Sequence, residues 1–310
     1  FSNAKVIVYI GLELPDGTTE KIRKGTYTVD ETQYDGSIIS LSCLDNMSKF
    51  DKTYTESSLQ YPATLNQIVL DACNVCGVSL QTYDFPHDDF LVNERPNDEA
   101  VTFREIIGWC AQIACCFCRC DTQGRLELKW YDQEALEDEK TLDGGTFDSD
   151  SPYSTGADAD GGTFDPWNDG YEFDSGFFDD TQKFHHIYSN YSSSISTDDV
   201  VITGVRILEK SSDENSSEIT TYQTGTEGYI VSIENNELIK NGAGANVVGW
   251  IGEQIIGFRF RKAQVSHTSN PSIEAGDVGF LTDRKQKTYR IIISSTNFAT
   301  RSSQSTSSSA

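Results

Sequence analysis

Thr64-Leu-Asn-Gln-Ile-Val-Leu-Asp-Ala-Cys-Asn-Val-Cys-Gly77 is the stretch that decides how this chain folds. Thr64 stands three residues before Gln67, the spacing at which two side chains satisfy each other's backbone amides at a helix start. Leu65, Ile68, Val69, Ala72, Cys73 and Cys76 then recur at the helical period and make one apolar stripe. Gly77 follows, where a residue in the left-handed conformation ends a helix. The same pattern returns at Thr102, three residues before Glu105, with Phe103, Ile106, Ile107, Cys110, Ile113 and Ala114 as the stripe. Two short helices, each apolar on one side, need a second layer to cover them.

The flanking sequence supplies β structure for that layer. Residues 4–55 read as strands: Val6, Val8 and Ile10 alternate with Ile7 and Tyr9, so both faces are apolar. Pro15-Asp-Gly17 is a turn after Leu12-Glu-Leu14, and Asp35-Gly36 is another before Ile38-Ile-Ser-Leu41. Short strands with frequent turns predict a small barrel or sandwich. After the helices, a hairpin runs from Phe117 through Thr122-Gln-Gly124 to Leu126-Glu-Leu128, completing a compact α/β module over 59–131. Further on, Val200–Ile207, Ile219–Gln223 and Tyr229–Ile233 read as strands. Asn246–Gly257 reads as a helix, weakened by Gly249 and Gly252. Phe258-Arg-Phe-Arg261 alternates, and Val278–Leu281 with Tyr289–Ile293 make a hairpin around Asp283–Lys287. The fold class is therefore α+β and β-rich.

Between the two β-rich parts lies a repeat. Asp143-Gly-Gly-Thr-Phe-Asp148 returns unchanged as Asp160-Gly-Gly-Thr-Phe-Asp165, with looser copies at Asp169-Gly-Tyr-Glu-Phe-Asp174 and Asp174-Ser-Gly-Phe-Phe-Asp179. Glycine and aspartate favour tight turns, and the one aromatic of each unit is the residue able to bury much area. A ladder of turns pinned by Phe147, Phe164, Phe173 and Phe178 is expected, forming a surface or a lining.

The net charge of the 310 residues is −24, and most of it sits in this insertion. From Asp132 to Asp180 there are sixteen Asp or Glu against the single base Lys140, a net of −15. Nucleic-acid binding rests on Lys and Arg displacing counterions from phosphates, so sequence-specific DNA or RNA binding is excluded as a class. Repulsive walls would suit a channel that DNA passes without sticking. The longest apolar stretch, Trp109 to Cys118, is half the roughly 20 residues that cross a bilayer, so no transmembrane segment is expected. No secretory signal is read at the start, and 299–310 reads as a Ser-rich linker.

Three constellations could carry chemistry. The eight cysteines include Cys73 and Cys76 as CxxC and Cys118 and Cys120 as CxC, with Cys43, Cys110, Cys115 and Cys116 besides. They fall on a helix stripe and on one strand face, so packing of reduced thiols explains them, and the second CxxC of a zinc site is missing. Asp158, Asp160 and Asp169 sit at positions 1, 3 and 12 of a calcium loop, but Gly162 and the absent Glu break the pattern. The histidines are His87, His185, His186 and His267; adjacent His185 and His186 point to opposite faces if extended. No nucleophile elbow, phosphate loop or metalloprotease helix appears. No catalytic residue, no metal ligand and no cofactor is therefore assigned.

Several motifs together resemble the baseplate hub, or tail-associated lysin N-terminal, family of tailed phages and prophages. They are Tyr27-Thr-Val-Asp-Glu-Thr-Gln-Tyr-Asp-Gly36 leading into Cys43-Leu-Asp-Asn-Met47, Pro62-Ala-Thr-Leu65, Thr102-Phe-Arg-Glu-Ile106 and Gly124-Arg-Leu-Glu-Leu128. The Asp-Gly-Gly repeats, Thr197-Asp-Asp-Val-Val-Ile-Thr-Gly204 and Ile273-Glu-Ala-Gly-Asp-Val278 complete the series. The resemblance implies two tail-tube-like β-barrel domains joined by the α/β module. Its boundaries are 1–58 for the first barrel, 59–131 for the α/β module, 132–184 for the acidic insertion, 185–298 for the second barrel and 299–310 for the linker. It implies a non-enzymatic homotrimer at the tail tip that closes the tube and lets DNA through. Implied partners are a distal tail protein ring, a tape-measure protein and tail fibre or receptor-binding proteins. The location would be the virion, after assembly in the bacterial cytoplasm. The insertion is not part of the minimal family pattern. A secreted, calcium-dependent carbohydrate-binding or adhesive module, using Trp167, Tyr171 and Phe177 on sugars, is the alternative. The N-terminal part of a cell-wall hydrolase is a second.

Overall fold

A computed structural model describes residues 3–96, 101–131, 184–187, 190–212, 216–267, 270, 272–283, 285, 287–299 and 303–308. The chain begins with strands β1 (Lys5–Glu13), β2 (Thr19–Asp35) and β3 (Ile38–Asp45), an antiparallel sheet in the order β1-β2-β3. Gly17 and Gly36 take φ of 81° and 60° in the two connecting turns. Two 3-10 turns, Asn46–Asp51 and Tyr54–Glu56, lead out of the sheet.

Both helices form where their start signals stand. α1 spans Leu65–Cys76 and α2 spans Phe103–Ile113. At each, the cap threonine accepts from the backbone amide three residues on, and the Gln67 or Glu105 side chain accepts from the cap amide in return. The six residues of the first stripe are all buried, and so are the six of the second. α1 packs on α2, with β4 (Ala63–Thr64) pairing β5 (Leu91–Val92) beside them. Strands β6 (Phe117–Cys120) and β7 (Leu126–Lys129) close the module as a hairpin. Its turn is tied by Asp121, whose carboxylate accepts from the amides of Gln123 and Arg125.

The remaining elements are β8 (Phe184–Ile187), β9 (Asn190–Ile195), β10 (Val200–Lys210), β11 (Ile219–Gly225), β12 (Tyr229–Glu234), α3 (Gly244–Ile255), β13 (Arg259–Phe260), β14 (Ala263–His267), β15 (Val278–Thr282), β16 (Thr288–Ile292), β17 (Ser295–Ala299) and β18 (Ser303–Ser308). They make three sheets: β11-β10-β12 with β13 on β10, then β17-β18-β14-β9, and β16-β15-β8. α3 covers β10 and β11.

The architecture is β-rich with three helices of eight or more residues among the described residues. Among the described residues no sheet closes on itself: the first β module is an open three-stranded sheet, and the second is three separate sheets. Closure requires every strand to find two neighbours, and three strands offer only two pairings.

Ser303–Ser308, expected within a flexible linker, is strand β18, bonded between β17 and β14. Ladder bonds come from the backbone, so a serine-rich segment can fill a sheet position when neighbours on both sides accept it. The strand expected over 258–261 is shorter, at Arg259–Phe260, and the third helix starts two residues earlier than read, at Gly244.

One hydrophobic core joins the α/β module to the strands beyond the insertion. Phe50, Tyr54, the two helix stripes, Leu126 and Leu128 lie in the same cluster as Val205, Ile207, Val247 and Ile251. Each fully buried aliphatic side chain of this kind contributes about 1.5–3 kcal/mol. A smaller cluster, with Ile187, Val265, Leu281, Ile291 and Ile293, holds the C-terminal sheets. Among the described residues no helix is long and apolar enough to cross a membrane. The Asp-Gly-Gly repeats, with the expected ladder of phenylalanines, lie outside the described residues.

Candidate assembly surface

The feature of this fold least at ease in water is the first sheet. Residues Ile7, Val8 and Tyr9 of β1, Tyr34 of β2 and Ile38, Ile39, Leu41 and Leu44 of β3 are exposed. Ile7, Val8 and Tyr9 lie against the 23–26 end of β2, and Ile38, Ile39 and Leu41 lie against its 32–35 end, two apolar groups of the kind that mark interaction sites. The sequence produces the first group directly: β1 is apolar at consecutive positions, so whichever face turns inward, the other still shows apolar side chains. β1 and β3 are also both edge strands, with backbone donors and acceptors open to another chain.

The sheet is fixed at its root. The Thr26 hydroxyl donates to the Thr122 carbonyl at 3.1 Å, and the Asn46 amide donates to the Gly124 carbonyl at 2.6 Å. Gly124 needs to be glycine here, at φ 81° with the Asn46 side chain 2.6 Å from where a Cβ would stand. Lys24 reaches Glu274 at 3.9 Å. Glu274 also holds Arg119 at 3.0 Å, and Arg119 bonds Glu127 at 2.5 Å and the Ala275 carbonyl. A chain of charge thus runs from the first sheet through β6 and β7 to the loop before β15. A concavity of about 480 Å³ opens at the same root, with Lys5, Thr28, Asn46 and Lys49 in its wall.

The candidate chemistry-bearing residues are placed as follows. All eight cysteines are free thiols. Cys73, Cys76 and Cys110 are buried on the helices, and Cys115, Cys116, Cys118 and Cys120 are half-buried. Burial pushes the thiols of Cys73, Cys115 and Cys120 up to about 12 and those of Cys76 and Cys116 up to about 11. Thiols so protonated neither attack nor ligate at neutral pH. Among the described residues no three His, Cys, Asp or Glu side chains are grouped to hold a metal ion. Asp158, Asp160 and Asp169 lie outside the described residues.

The histidines do not converge. His87 stacks on Trp250 of α3, with ring centroids 4.1 Å apart and planes 11° apart. His185 is buried, its Nε2 3.1 Å from the Asp277 carboxylate. His267 is buried in β14, and His186 stands beside His185 on β8. The Ser272 hydroxyl lies 3.5 Å from His185 Nδ1, which gives serine, histidine and aspartate in a row. The hydroxyl proton is committed to Asn270 Oδ1 at 2.6 Å, and Asp277 also accepts the Glu274 amide at 2.7 Å. These bonds tie Ser272 to Asn270 and Glu274 to Asp277.

Sequence inspection passed over Glu209. It is buried on β10, and its carboxylate accepts from the amides of Gly242 at 2.6 Å and Gly244 at 2.8 Å. It closes the N-terminal end of α3, where backbone amides need an acceptor and the helix dipole favours a negative charge. The signal was present: Val205, Ile207 and Glu209 alternate on the inward face of one strand.

No protein-family model and no curated protein matches the chain. The solved structures to which it is similar include phage tail proteins. A prophage tail protein from Shewanella oneidensis is 13% identical with a TM-score of 0.49, over 99% of this chain and 90% of that one. A prophage tail protein from Listeria monocytogenes is 11% identical at a TM-score of 0.49, over 98% and 84%. A tail protein from Neisseria meningitidis is 9% identical at 0.49, over 93% and 82%.

Proposed function

We propose that this chain is a structural, non-enzymatic subunit of a phage tail tip, a hub that assembles as a homotrimer, closes the tail tube and lets DNA pass. The observation that carries the proposal is the open first sheet, with apolar side chains exposed on β1 and β3 and neither edge paired among the described residues. Such a surface is costly in an isolated chain and is covered in an assembly. The ordered motifs quoted from the sequence give the assembly its identity. The net charge of −24 fits a wall that passing DNA does not adhere to.

On this account the barrels implied by the family resemblance are completed between copies. The partners are a distal tail protein ring, the tape-measure protein and fibre or receptor-binding proteins, and the acidic insertion lines, plugs or decorates the hub. The chain resides in the virion after assembly in the bacterial cytoplasm. Electron microscopy of intact particles tests this. Threefold density for the chain around an axial channel at the tail tip is expected. Absence of the chain from particles, with calcium-dependent glycan binding by the isolated protein, would move the assignment to an adhesive module.

A further inference from the structure

Asn241-Gly242 is the one Asn-Gly pair in the 310 residues. Asparagine before glycine is chemically labile, because no side chain shields the glycine nitrogen from the asparagine side-chain carbonyl. The reaction is a deamidation. The Gly242 nitrogen gives its proton to hydroxide and bonds Asn241 Cγ. The Cγ–Nδ2 bond breaks, and Nδ2 leaves as ammonia with a proton from water. Water then opens the resulting succinimide at either carbonyl, which leaves aspartate or isoaspartate at 241.

Both residues are exposed to water, yet hydrogen bonds hold the pair from two sides. The Gly242 amide donates to the buried Glu209 carboxylate at 2.6 Å, and the same carboxylate takes the Gly244 amide at 2.8 Å where α3 begins. Asn241 Oδ1 accepts from the Ser212 hydroxyl at 2.6 Å, and Asn241 Nδ2 donates to Glu94 at 3.3 Å. Asn241 and Gly242 take φ of 60° and 84°, the left-handed region that these two residue types enter most readily.

This arrangement blocks the reaction. The bond from the Gly242 nitrogen to Cγ must form where the amide hydrogen stands, and that hydrogen lies on Glu209. The carboxylate also opposes loss of the proton, since an amide anion beside it would be a second negative charge. Ser212 and Glu94 keep the asparagine side chain from turning towards the nitrogen.

We infer that Asn241-Gly242 is a gated deamidation site and that Glu209 is its gate. The gate is closed while Glu209 holds the two amides and opens when the start of α3 comes away from β10. Local opening of this kind costs less than global unfolding. The product does not reset. Isoaspartate lengthens the main chain by a methylene and shifts the Gly242 amide off Glu209, and either product sets a carboxylate against Glu94 where an amide had donated. Opening at α3 is thereby recorded as a covalent change. The inference is independent of how copies of the chain assemble.

The test follows Asn241 in the full chain, kept in mildly alkaline buffer, by mass spectrometry of the peptide that contains it. The folded wild type should keep its amide while the same chain unfolded in guanidinium chloride converts. Glu209→Ala should convert about 10-fold faster than the wild type or more, from losing a charged acceptor. Thr64→Ala weakens α1 without touching this loop and should convert at the wild-type rate, which separates gating from general instability. Glu209→Gln keeps the side-chain shape and one acceptor oxygen; it should fall between, and it carries the comparison if the alanine variant does not fold. A folded wild type that converts as fast as the unfolded chain would overturn the gate. So would Glu209 variants that convert no faster than Thr64→Ala.

Discussion

At the scale of single residues, the largest consequences follow from groups hidden from water. Glu209 is a buried carboxylate that accepts from the backbone amides of both Gly242 and Gly244. Glu209→Ala strands the Gly242 and Gly244 amides beneath α3, and the expected loss is about 1–3 kcal/mol, read by urea denaturation. The thiols act through pH. An ordinary cysteine ionises near 9.0, whereas Cys73, Cys115 and Cys120 do so near 12 and Cys76 and Cys116 near 11. Folded thiols keep their protons where unfolded ones lose them, so the folded state binds more protons across this window. Stability from this source is whole below about pH 9 and falls as pH rises through 11–12. Thermal midpoints should therefore fall steadily above pH 9, and less steeply in a Cys73→Ala, Cys120→Ala variant. A flat profile to pH 11 would contradict the burial of these thiols.

At the scale of elements, what was legible in the sequence divides along the range of the forces involved. α1 and α2 could be read to their caps because Thr64, Gln67 and Gly77, or Thr102 and Glu105, act within a few residues of one another. Thr64→Ala and Thr102→Ala should each cost about 1 kcal/mol, additively, because the two caps share no partner. Strand positions were also legible, since alternation is local. Which strands would pair was not. β18 illustrates the limit: Ser303–Ser308 has the composition of a linker, and only β14 and β17, distant or unremarkable in sequence, make it a strand. The far end of β2 and β3 is the converse case: Ile38, Ile39 and Leu41 read as strand residues, and they stand exposed beside Tyr34.

At the scale of the whole molecule, one core spans the acidic insertion. The helices and β10 with α3 lie in the same cluster, and the Lys24–Glu274–Arg119 chain ties the first sheet to the last loops. The first sheet is the exception, anchored at its root and bare along its length. That contrast of a bonded body with an unprotected sheet is why the central claim is assembly. The candidate surface was only partly visible from sequence. Apolar strands were, but their exposure follows from long-range pairing, which among the described residues leaves the first sheet open.

The measurement that tests this most directly is the mass of the purified full chain in solution, by light scattering across a concentration series. The account predicts a species of three times the 34.4 kDa chain, dissociating on dilution. A chain that remains at 34.4 kDa at every concentration, with the first sheet freely accessible to protease, would contradict it.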